Sequence, residues 1–250
     1  MLENSRLNQA LASWQDWPLN LKQQPIAIRQ LSGFTNQSFV LDTGNQQLVL
    51  RLNRIDADSL GISRHQEYLI WGALADLGIA PKLIQTNRPQ DFVLYEYVQG
   101  RTWTAEDLQQ PAQIKRLNQT IQTYQHICID LPARNYIDYL QHYWKQLKGT
   151  PAATPELAAQ WQHFLPELKA FQQSGWTPIL SHHDLIAENI IDDDQRLYIV
   201  DWEYAALGHP DLDWCSISDD KNHPASQVID WINRLWWLLP NTPERSNTGN

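Results

Sequence analysis

Cysteine, basic charge and long apolar runs are all scarce in this sequence. Only two of the 250 residues are cysteines, Cys128 and Cys215. They lie far apart and belong to no group of metal ligands, which argues against a disulfide framework or a structural zinc site. Lysine and arginine number 19 against 28 aspartates and glutamates, giving a net charge of −9. Such a balance argues against a chain built to neutralise nucleic-acid phosphates.

The sequence also has little that could engage a membrane. Its N-terminus carries charges and no apolar core of signal-peptide length. The most apolar late stretch, residues 231–239, is interrupted by Asn233 and Arg234 and is too short to span a bilayer. We therefore expect a soluble, cytoplasmic monomer or homodimer without nucleic-acid or membrane partners.

Tryptophan, in contrast, is abundant, with 12 residues, which is well above ordinary usage. Packing in the core and between helices is the simplest explanation. The alternative is that a few of these rings line a pocket for a flat or cationic ligand.

Two patterns divide the chain near residues 99–101. Before this point, alternating apolar residues predict five strands and one inserted helix, over 59–77 and ending at Gly78. After Gly100 the spacing is helical, over 104–127, 135–148 and 155–173. We predict an α+β fold with an N-terminal lobe, 1–99, containing a five-stranded antiparallel sheet, and a mainly helical C-terminal lobe, 100–250. The predicted strands are 26–31, 38–41, 47–52, 82–85 and 92–97, after a leading helix over 4–15.

A short region of strand character interrupts the helical part. Strands are predicted at 178–181, 189–191 and 196–200, and the last two flank a turn, 192–195, that we expect to be solvated. This hairpin would bring Asn189 and Asp201 together, with Asp184 on the loop that leads into it. Phosphoryl transfer to a hydroxyl needs an Asp to orient the nucleophile, and an Asn and an Asp to hold Mg²⁺. Without this context, Asp184 would more often be a buried turn residue. The histidines nearby form no known metal-binding motif.

At these residues the sequence resembles the aminoglycoside phosphotransferase and choline kinase family, which has a bilobal protein-kinase-like fold. The motif HxDxxxxN lies on His182, Asp184 and Asn189, and the motif hD(F/W)E lies on residues 200–203. The resemblance implies that Asp184 is the catalytic base, that Asn189 and Asp201 bind Mg²⁺, and that His182 shapes the catalytic loop. The residues that follow Asp201 are most similar to the choline, ethanolamine and thiamine kinase branches. Asp213 is better interpreted as a structural anchor.

The N-terminal lobe agrees with this resemblance. Residues 31–39 lie where the family has its nucleotide-binding loop, and Arg51 stands where a phosphate-contacting lysine is usual, with Glu67 as its ion-pair partner. Arginine keeps the charge but offers a planar fork in place of a point charge. The resemblance implies nucleotide contacts from the loop, the ion pair and the inter-lobe hinge: Gly33, Phe34, Thr35, Asn36, Arg51, Glu67, Glu96, Tyr97 and Val98.

The function implied by the resemblance is ATP- and Mg²⁺-dependent transfer of the γ-phosphoryl group to a hydroxyl of a small, cationic metabolite such as choline, ethanolamine or thiamine. Glu203, Trp214 and Trp231 are expected to contact this acceptor, and Trp236 and Trp237 lie on the same segment. Two alternatives stay open. One is an aminoglycoside O-phosphotransferase, and the other is a catalytically silent nucleotide-binding member, because only 49 residues follow Asp201.

Overall fold

The first part of the chain builds one antiparallel sheet. The computed structural model describes residues 5–33, 35–87, 91–218 and 220–239. The five strands lie in the order β1-β2-β3-β5-β4, and every neighbouring pair is antiparallel. The predicted five-stranded sheet is therefore confirmed. The strands are β1 (Ile26–Leu31), β2 (Gln37–Asp42), β3 (Gln47–Leu52), β4 (Leu83–Thr86) and β5 (Phe92–Glu96).

Helices cover both faces of this sheet. Helix α1 (Ser5–Ala12) packs its apolar side against Phe39, Leu41 and Leu50, which point to one face because side chains alternate along a strand. Helix α2 (Arg64–Asp76) contributes Trp71 and other apolar side chains to a second core that contains Val93 of β5. Strands β2, β3 and β5 are thus buried on both faces, which fixes their register, whereas the edge strand β1 is largely exposed.

Helix α2 is shorter than the sequence predicts. A 3₁₀ turn occupies Ala57–Leu60 and ends at Gly61, whose φ of 69° is left-handed. The side chain of Ser63 then accepts a hydrogen bond from the backbone N–H of Gln66 and caps a new helix, so that α2 begins at Arg64. The turn chemistry of Gly61 and Ser63 outweighs the helical spacing that extends back to residue 59.

The rest of the chain is mainly helical. Helix α3 (Pro111–Gln125) begins seven residues later than predicted, because Pro111 suits a first turn and residues 107–109 form a separate 3₁₀ turn. A core rich in aromatic side chains joins the four later helices. These helices are α4 (Tyr136–Leu147), α5 (Pro155–Gln172), α6 (Leu212–Ser216) and α7 (Pro224–Leu238).

Two small sheets lie among these helices. Strand β8 (Ile190–Asp192) pairs with β9 (Leu197–Ile199) in the predicted hairpin, and Ile190 faces Ile199. Two strands were not predicted: β6 (Arg101–Thr102), which pairs with β8, and β10 (Ala206–Gly208), which pairs with β7 (Ile179–Ser181). Strand β6, which pairs with β8, begins at Arg101, directly after the predicted boundary between the two lobes. The division of the chain into lobes 1–99 and 100–250 stays a prediction.

The hairpin turn is exposed at Asp194 and Gln195, as expected, but not at Asp192. Asp192 is buried, and its carboxylate accepts hydrogen bonds from both terminal nitrogens of Arg116 on α3 and from the Trp103 indole. The turn is therefore fastened to the helical part. Within the described residues, no helix is both long and apolar enough to cross a bilayer.

Candidate active site

A cleft of about 820 Å³ lies between the five-stranded sheet and the helical part. On the sheet side it is lined by the β1–β2 loop, by Arg51 of β3 and by the segment after β5. On the other side it is lined by Asp184, Asn189 and Asp201, and farther along by side chains of α4 and α7. The lining includes these residues from the sequence predictions: Gly33, Thr35, Asn36, Arg51, Glu96, Tyr97, Val98, Asp184, Asn189 and Asp201.

Asp213 holds the loop that carries Asp184. Its carboxylate is fully buried and accepts hydrogen bonds from the backbone N–H groups of His182 and His183, at 2.8 and 3.1 Å, and from the Tyr124 hydroxyl at 2.7 Å. Three donors on one carboxylate fix the loop to α3 and α6. The interpretation of Asp213 as a structural anchor agrees with this geometry.

His182 connects the two segments that bear the acidic residues. Its Nε2 lies 3.0 Å from the Val200 carbonyl oxygen, and its Nδ1 accepts a hydrogen bond from the Asp184 backbone N–H at 3.3 Å. The ring packs edge-on against Trp202, with centroids 4.5 Å apart. Burial lowers the pKa of His182 to about 4. A neutral, buried His182 outside the cleft lining positions its neighbours and does not face the reacting groups.

The buried imidazole predicts a pH-dependent stability difference. Because the pKa of His182 is lower in the folded than in the unfolded chain, its favourable contribution is complete above about pH 6.5 and is lost as the pH falls toward 4. We expect the stability advantage of the wild type over His182→Gln to shrink by roughly 3 kcal/mol between pH 7 and pH 4. Urea unfolding of both proteins at several pH values measures this difference. An advantage that stays constant would contradict a neutral His182.

His183, the next residue, lies on the cleft wall in a left-handed conformation. Its φ is 67°, and its Nε2 is 3.0 Å from the Tyr136 hydroxyl oxygen. This approach requires glycine at 208, since a Cβ there would overlap both the hydroxyl and the imidazole ring. The close contact between Gly208 of β10 and His183 holds the backbone just before Asp184 in place.

Asp184 and Asn189 are neighbours in space. The Asn189 side-chain amide donates to the Asp184 carbonyl oxygen at 2.9 Å and lies 3.4 Å from its carboxylate oxygen Oδ2. Burial, together with the nearby Glu203 carboxylate, raises the pKa of Asp184 to about 7. A carboxylate whose pKa is close to neutral is suited to exchange a proton with a hydroxyl.

Asp201 follows β9 with a φ of 66°, a left-handed conformation that only a few non-glycine residues adopt here. The Val200 N–H donates to the Asn189 carbonyl oxygen at 2.9 Å, which places Asp201 beside Asn189. The side chain is 37 % exposed to the cleft, and its Oδ1 lies 3.5 Å from Nη1 of Arg51 without a hydrogen bond from any described residue. Burial in the cleft and the Glu203 carboxylate raise the pKa of Asp201, and Arg51 opposes them.

These residues fit a divalent cation. Two arginines, Arg51 and Arg64, lie in one cluster with four carboxylates, those of Glu67, Glu203, Asp184 and Asp201, a formal excess of two negative charges. The described residues contain no group of three His, Cys, Asp or Glu side chains placed to hold a metal. Mg²⁺ commonly uses one or two carboxylates together with substrate phosphates, and Asp201 and Asn189 would provide such a partial set.

Arg51 forms the predicted ion pair with Glu67. Its Nη2 lies 2.6 Å from Glu67 Oε1, both side chains are almost completely buried, and Nε donates to Asn53 at 3.1 Å. The guanidinium also lies over the Trp71 ring, 5.4 Å from its centroid. Arg51 is thus held rigidly with one edge toward Asp201 and the cleft.

Most, but not all, of the other residues predicted to contact the nucleotide line the cleft. Gly33, Thr35 and the hinge residues 96–98 line the cleft, whereas Phe34 lies outside the described residues. The Asn36 side chain is buried, and its amide donates to Glu203 Oε2 at 2.8 Å. Its carboxamide therefore contacts a protein carboxylate rather than the open part of the cleft.

The three residues predicted to contact the acceptor do not line the cleft. Glu203 is buried in an ion-pair network, and Trp214 packs against the second core. Trp231 stacks on Phe164 at 5.1 Å in a separate groove between α5 and α7. This placement gives their predicted acceptor contacts no support, because Glu203 is bound by Arg64 and Asn36, and Trp214 and Trp231 pack elsewhere.

Other side chains line the end of the cleft that is formed by α4 and α7. Trp236 and Trp237 of α7 lie there, as does Asn233, and Tyr139 of α4 and Tyr204 were not singled out from the sequence. The signal for Tyr139 is weak, since it belongs to an ordinary amphipathic helix. Arg64, three residues before Glu67, was also missed, although this i, i+3 spacing puts both side chains on one helix face.

This arrangement can orient a hydroxyl, hold a divalent cation and contact nucleotide phosphates, which together are the requirements of a phosphotransferase. The chain belongs to the phosphotransferase enzyme family, whose model matches residues 27–236. The family match confirms the predicted family and the predicted class of enzyme.

Known proteins of this kind resemble the chain over most of its length. A LicA homolog from Mycoplasma capricolum subsp. capricolum is 24 % identical over 181 residues, which cover 70 % of this chain and 72 % of that protein. The crystal structure of choline kinase LicA from Streptococcus pneumoniae is 18 % identical, with a TM-score of 0.78 over 93 % of this chain and 90 % of that one. Aminoglycoside phosphotransferase APH(4)-Ia, solved in a ternary complex with AMP-PNP and hygromycin B, is 14 % identical, with a TM-score of 0.62 over 90 % and 89 %. These likenesses confirm the predicted fold.

Proposed function

We propose that this protein transfers the γ-phosphoryl group of ATP, with Mg²⁺, to a hydroxyl of a small organic cation of the choline, ethanolamine or thiamine type. The observation that carries this proposal is the acceptor end of the cleft. Rings of Tyr139, Tyr204, Trp236 and Trp237 surround it, and the carboxylates of Asp184 and Glu188 belong to the same cavity. Aromatic faces and carboxylates together bind ammonium groups.

The sheet side of the cleft supports the nucleotide half of the proposal. The β1–β2 loop with Gly33 and the fixed guanidinium of Arg51 would contact the phosphates, as loops and basic side chains do in phosphotransferases. The backbone of residues 96–98 would meet the adenine. We propose the lobe boundary just after these residues, with lobes 1–99 and 100–250, and place the enzyme in the cytoplasm, where ATP and Mg²⁺ are abundant.

The proposed reaction divides its tasks among few side chains. Asn189 and Asp201 would hold Mg²⁺, which neutralises charge on the phosphates when bound. Asp184 orients the acceptor hydroxyl and takes its proton as the oxygen attacks in line with the leaving ADP oxygen. His182 and Asp213 keep Asp184 at its place on the loop, as their hydrogen bonds to this loop indicate.

The direct test is ADP release from Mg·ATP with a panel of choline, ethanolamine, thiamine and several aminoglycosides. We expect turnover with one of the small cations, and acceptor-dependent ADP release from Asp184→Asn that is slower by about 10²- to 10⁴-fold. The protein without acceptor measures the background ATPase rate. Turnover with an aminoglycoside alone, or with no compound despite binding of Mg·ATP, would overturn the proposed acceptor class.

An aminoglycoside phosphotransferase is the second candidate, favoured by the likeness to APH(4)-Ia. The residues at the acceptor end of the cleft argue against an aminoglycoside acceptor. The cleft-lining residues of α4 and α7 are Tyr139, Ile232, Asn233, Trp236 and Trp237, and none carries a charge. A polycationic antibiotic needs several carboxylates around its amino groups, whereas a single ammonium group needs few.

A further inference from the structure

Part of the charged cluster around the Arg51–Glu67 pair forms a triangle of hydrogen bonds. It consists of Asn36, Arg64 and Glu203, which we call the latch. Arg64 donates from Nη1 to Glu203 Oε2 at 2.8 Å and from Nη2 to Asn36 Oδ1 at 2.9 Å. The Asn36 amide completes the triangle by donating to Glu203 Oε2 at 2.8 Å. Each member comes from a different segment: the β1–β2 loop, α2 and the turn after Asp201.

The latch is buried and incompletely hydrogen-bonded. All three side chains are buried, and Glu203 Oε1 and Arg64 Nε have no hydrogen-bond partner among the described residues. Charged groups that are buried and incompletely bonded are commonly less stabilising than well-packed apolar side chains of similar volume. Stability alone therefore does not explain this arrangement, and its value must lie in fixing the relative positions of the segments.

The latch belongs to a closed ring of contacts that passes through the site. Arg64 also donates to Glu67 Oε2 at 2.8 Å, while Glu67 Oε1 binds Arg51, and Arg51 faces Asp201 at 3.5 Å. Asp201 and Glu203 are two residues apart, so the backbone closes the ring. Movement of the turn that carries Asp201 must therefore displace Arg64 and the end of the β1–β2 loop at Asn36.

We propose that Arg64 is a positioning residue that, through Asn36 and Glu203, joins the nucleotide-binding loop to the turn of the metal ligand Asp201. The planar fork of Arg64 makes this link, because one guanidinium contacts three partners in fixed directions. Binding of nucleotide under the loop and placement of Asp201 are then parts of one event. The inference rests on the proposed function only as far as the binding of Mg·ATP.

The test measures the affinity for Mg·AMP-PNP by calorimetry, which needs no acceptor. Arg64→Lys keeps the charge and removes the fork. Asn36→Ala releases the loop from Arg64, from Glu203 and from the Arg54 N–H, and it leaves the Arg64–Glu203 pair in place. We expect each to weaken binding by about tenfold, and the double variant to be no weaker than about the stronger single effect, because both break one link. The KM for the acceptor should change less than the KM for ATP.

The matched control is Arg116→Lys. Arg116 also binds a carboxylate through both terminal nitrogens, that of Asp192, but lies away from the cleft. We expect its affinity for Mg·AMP-PNP to stay within about twofold of the wild type. A folded Arg64→Lys or Asn36→Ala that lowers only the melting temperature, with unchanged affinity, would overturn the latch as a positioning device.

The failure of the proposed function gives a different result. A wild type that does not bind Mg·AMP-PNP overturns both proposals before any variant is compared. A wild type that binds it but turns over none of the small cations overturns the acceptor class alone, and the comparison of the latch variants still decides this inference. If Arg64→Lys does not fold, Asn36→Ala decides, since it removes no charge.

Discussion

Replacing Asp184 with asparagine is expected to lower kcat by about 10²- to 10⁴-fold, the usual contribution of a positioned acid or base. Asparagine has nearly the same shape, so the neighbouring Asn189 and the loop held by Asp213 keep their places. What is lost is a carboxylate whose pKa lies near 7 because of burial and the Glu203 charge. The measurement is steady-state turnover with the best acceptor, together with calorimetric affinity for Mg·AMP-PNP, which should change only a few-fold.

The control for this substitution is Asp194→Asn. Asp194 lies in the hairpin turn between β8 and β9, is exposed, and has a φ of 70°, a conformation that asparagine also tolerates. The same chemical change there should leave kcat unaltered. An Asp184→Asn protein that keeps more than about a tenth of the wild-type kcat would show that Asp184 does not act as the base.

Replacing Arg51 with methionine is expected to lower the free energy of unfolding by about 3 kcal/mol, because removing one partner of a buried pair leaves an uncompensated charge. Glu67 would keep Arg64 as a partner, but Asp201 would lose the only cation near its carboxylate among the described residues. Affinity for Mg·ATP should fall as well, since Arg51 is the only lysine or arginine among the described residues that line the cleft. Urea unfolding gives the stability, and calorimetry gives the affinity.

Arg101→Met provides the comparison for this loss. Arg101 binds Asp107 through both terminal nitrogens, but its side chain is 56 % exposed, so its removal should cost less stability than the removal of the buried Arg51. Arg51→Lys separates charge from shape, because it keeps the charge without the fork. Equal losses from Arg51→Met and Arg101→Met would mean that the buried pair contributes no more than a surface pair.

Local patterns predict much of this fold and of the candidate site. The five strands of the first sheet alternate clearly, and the β8–β9 hairpin has apolar strands around an acidic turn. Because the hairpin sets the distance between its two ends, the closeness of Asn189 and Asp201 follows from sequence alone. The boundaries of α2 and α3 do not follow as easily, since Gly61 and Pro111 act through capping geometry that the apolar spacing does not reveal.

What the sequence could not reveal depends on contacts between distant segments. Strands β6 and β10 have two and three residues, too few for any periodicity, and exist only through their pairing with β8 and β7. The direction of Trp231 depends on which face of α7 meets α5, and the helix is apolar on more than one side. Likewise Glu203 looks like a free carboxylate next to Asp201 until Arg64, 139 positions away, is seen to bind it.

Two of the three described non-glycine residues with positive φ, His183 and Asp201, lie at the cleft. A left-handed backbone costs an ordinary residue roughly 1 kcal/mol relative to glycine, so glycine at 201 would relieve the fold while removing a predicted metal ligand. Stability and metal binding therefore favour different residues at position 201. Selection for thermal stability alone should favour substitutions at this turn that inactivate the protein. Stabilising substitutions would have to be sought outside residues 182–203.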